Sequence, residues 1–126
     1  MEEIKRNSLP TLEFGMAYLA HPYTSAFSDI KAFNLMDAGN IAFKIMRKYP
    51  NLTIISPLHA YSFFEGKELK ETEILKYDFR LLSRCDILIL SGNWRLSCGC
   101  MSEYGYAKAK GIRIYEYLDG TLYSLE

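Results

Sequence analysis

The stretch CDILILSGNWRLSCGCMSE, Cys85–Glu103, decides the reading of this chain. Asp86–Leu90 opens on an acid and continues as an uninterrupted apolar run, the pattern of a parallel strand buried on both faces. Ser91–Ser97 is a polar loop at its carboxyl end. Ser102–Lys110 is a helix carrying Glu103 in its first turn and stopped by Gly111, a usual residue just past a helix end. In open α/β sheets, ligands bind outside the carboxyl ends of the strands, where loops meet helix N-termini. Glu103, with Ser97 and Gly99 ahead of it, is therefore a candidate catalytic carboxylate.

Upstream, Glu73–Arg84 has Ile74, Tyr77, Leu81 and Leu82 on one helical face. Leu52–Ser56 is a short strand ended by Pro57. Between them, His59–Glu71 is irregular, first aromatic and then charged, and is expected to cover the site. From Phe27 to Tyr49, apolar residues recur at helical spacing (Ile30, Phe33, Leu35, Met36, Ile41, Ala42, Ile45, Met46). This is an amphipathic helix of about five to six turns, with Ser25 or Ser28 as its cap. Phe14–Ala20 is a buried first strand, ended by Pro22, and residues 1–11 are a loose lead-in. Downstream, Ile112–Tyr115 is a further strand, and the tail Tyr117–Glu126 carries an Asp–Gly turn signal for a last one. Strands alternating with helices predict a single α/β domain over 1–126. Its architecture is a flavodoxin-like or Rossmann-like three-layer sandwich with a parallel sheet of four to five strands in the order 2-1-3-4(-5).

Composition narrows the function. In 126 residues, 15 Lys and Arg balance 15 Asp and Glu, so no charge excess points to nucleic acid or to an anionic membrane. No stretch is long enough to span a bilayer. The three cysteines, Cys85, Cys98 and Cys100, form no disulfide framework and fall short of a four-ligand zinc site, so no metal is assigned. They read either as reduced thiols of a cytoplasmic protein or as containing a reactive Cys98 or Cys100. No Walker loop and no Gly-x-Gly-x-x-Gly is present.

Around Glu103, other groups qualify as site residues, each with a plainer alternative. Ser97 and the Gly99 amide can bind an anion at a helix N-terminus. Asp78 is either a solvated helix acid or a second carboxyl able to handle the proton of a leaving base. His21 and His59 each follow a strand and either line the crevice or face solvent. Trp94 either stacks on a base or folds over the sheet edge. Tyr18 and Tyr23 either orient a nucleophile or are simply two of the chain's 10 tyrosines.

These residues together resemble the nucleoside 2-deoxyribosyltransferase superfamily. That group includes the 2'-deoxynucleoside 5'-monophosphate N-glycosidases and a phage and bacterial family of unknown function. The shared pattern is an apolar strand opened by Asp86, then Gly99–Cys100–Met101–Ser102–Glu103, then Gly105–Tyr106–Ala107, with an acid, Asp78, eight residues before the strand Asp. The resemblance spans residues 14–116. It implies Glu103 as nucleophile or charge stabiliser at C1', Asp78 assisting at base or sugar, and Tyr18 holding the Glu103 carboxylate. The transferases tend to have Asp six residues before the catalytic Glu; here Ser97 stands there, as in the monophosphate hydrolases, where it contacts the 5'-phosphate. The expectation is cleavage of the N-glycosidic bond of a nucleoside or nucleoside 5'-monophosphate, with hydrolysis favoured over transfer and no cofactor. The alternative is non-catalytic binding or sensing of a nucleotide-derived small molecule. Neither nucleic acid nor membrane is an expected partner. Members of the superfamily are typically oligomeric, so a homo-oligomer is expected, with Tyr61–Phe64 and the tail around Tyr117 and Tyr123 as its surfaces.

Overall fold

The computed structural model describes residues 15–24 and 27–125. Strand β1 (Gly15–Ala20) is followed by helix α1 (Ser28–Lys48), strand β2 (Leu52–Ile55) and a one-turn helix α2 (Pro57–Ala60). Helix α3 (Glu71–Leu82), strand β3 (Ile87–Leu90), helix α4 (Cys98–Lys110), strand β4 (Arg113–Leu118) and strand β5 (Thr121–Ser124) complete the order. One five-stranded sheet runs β2-β1-β3-β4-β5. Its first four strands are mutually parallel, and β5 is antiparallel to β4. The sheet is thus mixed rather than wholly parallel. The reason is the Asp119–Gly120 turn, where both residues have positive φ (47° and 86°), the geometry of a tight hairpin that reverses the chain.

Alternate residues of the central strands feed two cores. Ala17, Leu19, Ile87 and Ile89 pack with Ile41 and Ile45 of α1. Tyr18, Ala20, Leu88 and Leu90 pack with Leu82 of α3 and Cys100 and Ala107 of α4. Asp86 is the pin between β1 and β3. Its Oδ2 accepts the Met16 amide at 2.8 Å, and its own amide donates to the Met16 carbonyl at 2.8 Å.

Three local expectations are corrected. Helix α4 begins at Cys98, not Ser102, because the Ser97 hydroxyl caps it by accepting the Cys100 amide; Glu103 therefore lies in the second turn. Helix α1 buries only Ala38, Ile41 and Ile45, while Ile30, Phe33, Met36 and Met46 are exposed. Apolar side chains surround that helix, so periodicity alone cannot choose its inner face. Ser28 does not cap α1: the N-cap position is Phe27 and Ser28 is already helical, while Ser25 lies outside the described residues, as does the 1–11 lead-in. The aromatic segment is ordered, with Tyr61 stacked on Phe64 at 5.0 Å and both rings packed near Tyr77 of α3. No described helix is long and apolar enough to cross a membrane.

Candidate active site

A cavity of about 520 Å³ opens at the carboxyl ends of β1, β2 and β3, walled on one side by α3 and floored by the start of α4. Its lining brings together Glu103, Asp78, Ser97, Gly99, His21 and Tyr23 from segments far apart in the chain.

Glu103 is 5% exposed. Its Oε2 accepts the hydroxyl of Tyr18, a wholly buried residue of β1, so the strand orients the carboxyl on the helix. Burial pushes the Glu103 carboxyl up to about 8; the Tyr18 hydrogen bond opposes that rise and the charge of Asp78 adds to it. Asp78, on the α3 wall, is raised by burial to about 6. Asp78 thus ionises first, and its charge then works against ionisation of Glu103. Tyr18 is raised well above the usual phenol value, by burial and then by Glu103, so its hydroxyl remains a donor. The Cys100 thiol is pushed up to about 12, chiefly by burial and then by Glu103, and stays protonated.

At the start of α4 the first helical bond runs from the Met101 amide to the Ser97 carbonyl. The amides of Cys98 and Gly99 precede that bond, so helix geometry provides them no acceptor, and both residues line the cavity. A side chain at Gly99 would meet only Ser97 Oγ, at 3.8 Å. The fold itself therefore has room for a methyl group there, and glycine leaves that room to the cavity. Gly92 is different. Its φ is +64°, and a Cβ would lie 3.1 Å from His21 Nε2 and 3.2 Å from Pro22 Cδ, so the loop after β3 can press against the loop after β1 only with glycine.

The other predicted residues divide. His21 lines the cavity, but its Nδ1 faces the Pro22 carbonyl at 2.7 Å and its Nε2 faces Asp37 at 2.8 Å. Both are acceptors, so both ring nitrogens are engaged and His21 shapes the wall. The Tyr23 hydroxyl donates to Glu65 at 2.7 Å. His59 and Trp94 are not among the lining residues. His59 bonds Ser56 at 2.7 Å and packs beside Gly39 of α1. Trp94 is buried, and its indole donates to the buried Glu116 at 2.8 Å, an acceptor shared with Arg95 at 2.7 Å. The indole belongs to the buried cluster that includes Leu90 and Cys100. The cavity also includes Ile74, already placed on the apolar face of its helix, and Glu71, Leu75, Asn93 and Leu96, which did not stand out in the sequence. Glu71, Ile74, Leu75 and Asp78 share one side of α3 at helical spacing, a signal that would have placed Asp78 inward.

No protein-family model and no curated protein matches the chain. Among solved structures, it is similar to a conserved protein from Enterococcus faecalis V583, with a TM-score of 0.65 and 19% identity. The match covers 84% of this chain and 65% of that one. At that identity the likeness concerns the α/β fold alone.

Proposed function

We propose that this protein is a member of the nucleoside 2-deoxyribosyltransferase-like group, a flavodoxin-like domain that cleaves the N-glycosidic bond of a nucleoside or nucleoside 5'-monophosphate. The observation that carries the proposal is a carboxyl, Glu103, buried at the base of a ligand-sized cavity and held by Tyr18, with a second carboxyl, Asp78, in the same cavity. Oxocarbenium chemistry uses two such groups, one to attack or stabilise C1' and one to manage a proton.

In the proposed reaction the reactive form is the minor tautomer of the one-proton pair, with the proton on Asp78, and its Glu103 carboxylate bonds C1' as the C1'–N bond breaks. The electron pair of that bond passes to the base nitrogen, which takes a proton from Asp78. Water then attacks C1', displaces Glu103 and returns a proton to Asp78. A second base in place of water would make the reaction a transfer. Ser97, whose hydroxyl proton is not used by the cap, and the Gly99 amide can hold a 5'-phosphate at the positive end of α4. This favours hydrolysis of a monophosphate. A cytoplasmic setting is consistent with Cys85, Cys98 and Cys100 all being free thiols.

The test is to incubate the protein with nucleosides and their 5'-monophosphates, deoxy and ribo, and to separate free base by chromatography. Release of base from a monophosphate, absent with Glu103→Ala, supports the hydrolase. A second reading is a binding protein on the same site. It is favoured by the raised Glu103, which is largely neutral near pH 7 and then a poor nucleophile. Thermal stabilisation by ligand without base release selects it.

Gly99→Ala separates fold from site. Alanine is favoured over glycine within a helix by about 1 kcal/mol, and the neighbouring atoms leave room for it. The variant is expected to melt at or above the wild-type temperature while losing about tenfold or more in kcat/KM, roughly 1.4 kcal/mol of transition-state binding. Unchanged kcat/KM would remove Gly99 from the substrate contacts.

A further inference from the structure

Helix α1 meets the sheet through Ala38, Ile41 and Ile45. On its opposite side Phe33, Met36 and Phe43 are 56%, 58% and 57% exposed. At 100° per residue these three fall within about 80° of one another and point away from the sheet. Asp29, Asn40 and Arg47, also exposed, lie along the same stripe. The Arg47 guanidinium sits 5.8 Å from the centroid of the Phe43 ring, which keeps it on this face. Three large apolar side chains on the solvent side of one helix are the mark of a surface that another chain covers.

The order of residues along the stripe says which chain. About the level of residue 38 the stripe is self-complementary: positions 29 and 47, 33 and 43, and 36 and 40 are equidistant from it. We propose that α1 pairs with α1 of a second copy, antiparallel, about a two-fold axis at the level of residue 38. In that pairing Phe33 packs on the partner's Phe43, Met36 meets the partner's Asn40, and Asp29 faces the partner's Arg47, each contact occurring twice, as an isologous interface requires. Charge sets the direction. The acid Asp29 is at the start of α1, and the bases Lys44 and Arg47 are near its end. A parallel pair would set like charge against like, whereas the antiparallel pair sets acid against base and opposes the two helix dipoles. The 21-residue helix is about 30 Å long, which leaves a seam of several turns.

The full chain is tested by sedimentation velocity across about 1–100 µM, a range that brackets micromolar dimer affinity. The wild type is expected to be dimeric. Phe33→Glu and, separately, Phe43→Glu are expected to be monomeric with unchanged circular dichroism, since both side chains are on the surface. A charge exchange checks the register independently of folding. Arg47→Asp weakens the dimer about tenfold, and adding Asp29→Arg in the same chain restores it. A wild-type monomer would overturn the proposal. A dimer indifferent to Phe33→Glu, Phe43→Glu and the charge exchange would equally overturn it.

Discussion

Glu103→Gln is expected to lower the rate of base release by at least about 10³-fold while ligand binding is retained. The amide has the shape of the acid and still offers the Tyr18 hydroxyl an acceptor oxygen, so the buried contact between β1 and α4 survives. What is lost is the anion that bonds or stabilises C1'. The loss therefore falls on kcat, with KM little changed. Chromatography of free base, with ligand-induced thermal shift as the binding control, checks both halves. Turnover near wild type in a folded Glu103→Gln protein would sink the mechanism. The same pair sets the pH profile of the wild type. The proposed chemistry needs one proton on the pair, placed on Asp78; with Asp78 and Glu103 titrating near 6 and near 8, that is the minor tautomer of the one-proton state, whose total population still rises and falls with those two values. A bell with limbs in those regions is expected for kcat/KM, its limbs belonging to the coupled pair rather than to either residue alone.

Between pH 6 and 8 the wild-type protein is expected to lose stability as pH rises, and Glu103→Gln much less. In the unfolded chain Glu103 ionises near its ordinary value of 4.5; in the folded protein it ionises near 8. Across that interval the folded state binds the additional proton, so stability falls with rising pH and levels off above the folded value. The slope from one such group is at most about 1.4 kcal/mol per pH unit. For a domain of this size that is roughly 3–6 °C in Tm per unit. Asp78, raised to about 6, acts in the same direction chiefly below pH 6, with a tail toward pH 7 that both proteins share. Melting curves at pH 6, 7 and 8 should converge or cross for the two proteins, with Glu103→Gln the more stable at pH 8. Parallel melting of wild type and variant over that range would show that Glu103 is not held neutral by burial.

Much of the fold was legible because it depends on near neighbours. Ile87–Leu90 is buried on both faces and has no period to misread; the strand order, with β1 between β2 and β3, matches the expected sequence of crossovers. Helix boundaries were less secure. Ser97 has the chemistry of a cap, and α4 starts directly after it, four residues before the Ser102 start read from the sequence. In α1, where apolar residues are on all sides, only packing against the sheet selected Ala38, Ile41 and Ile45 as the inner face.

Within the site, the sequence by itself determined the loop and helix that follow β3, with Ser97, Gly99 and Glu103 in one short segment whose spacing is a property of the helix they open. Tertiary structure alone decided the partners. Tyr18 and Glu103 are 85 residues apart, and their contact exists because β1 lies beside β3 and turns Tyr18 toward α4. Asp78 became a wall of the cavity, and not a solvated acid, through the docking angle of α3. His59 and Trp94 were drawn to Ser56 and Glu116 instead of the cavity. The physical reason is common to all of these. Periodicity and capping are encoded over a few residues, whereas the burial that raises Glu103 and the acceptor that claims an indole arise only when distant segments share one core.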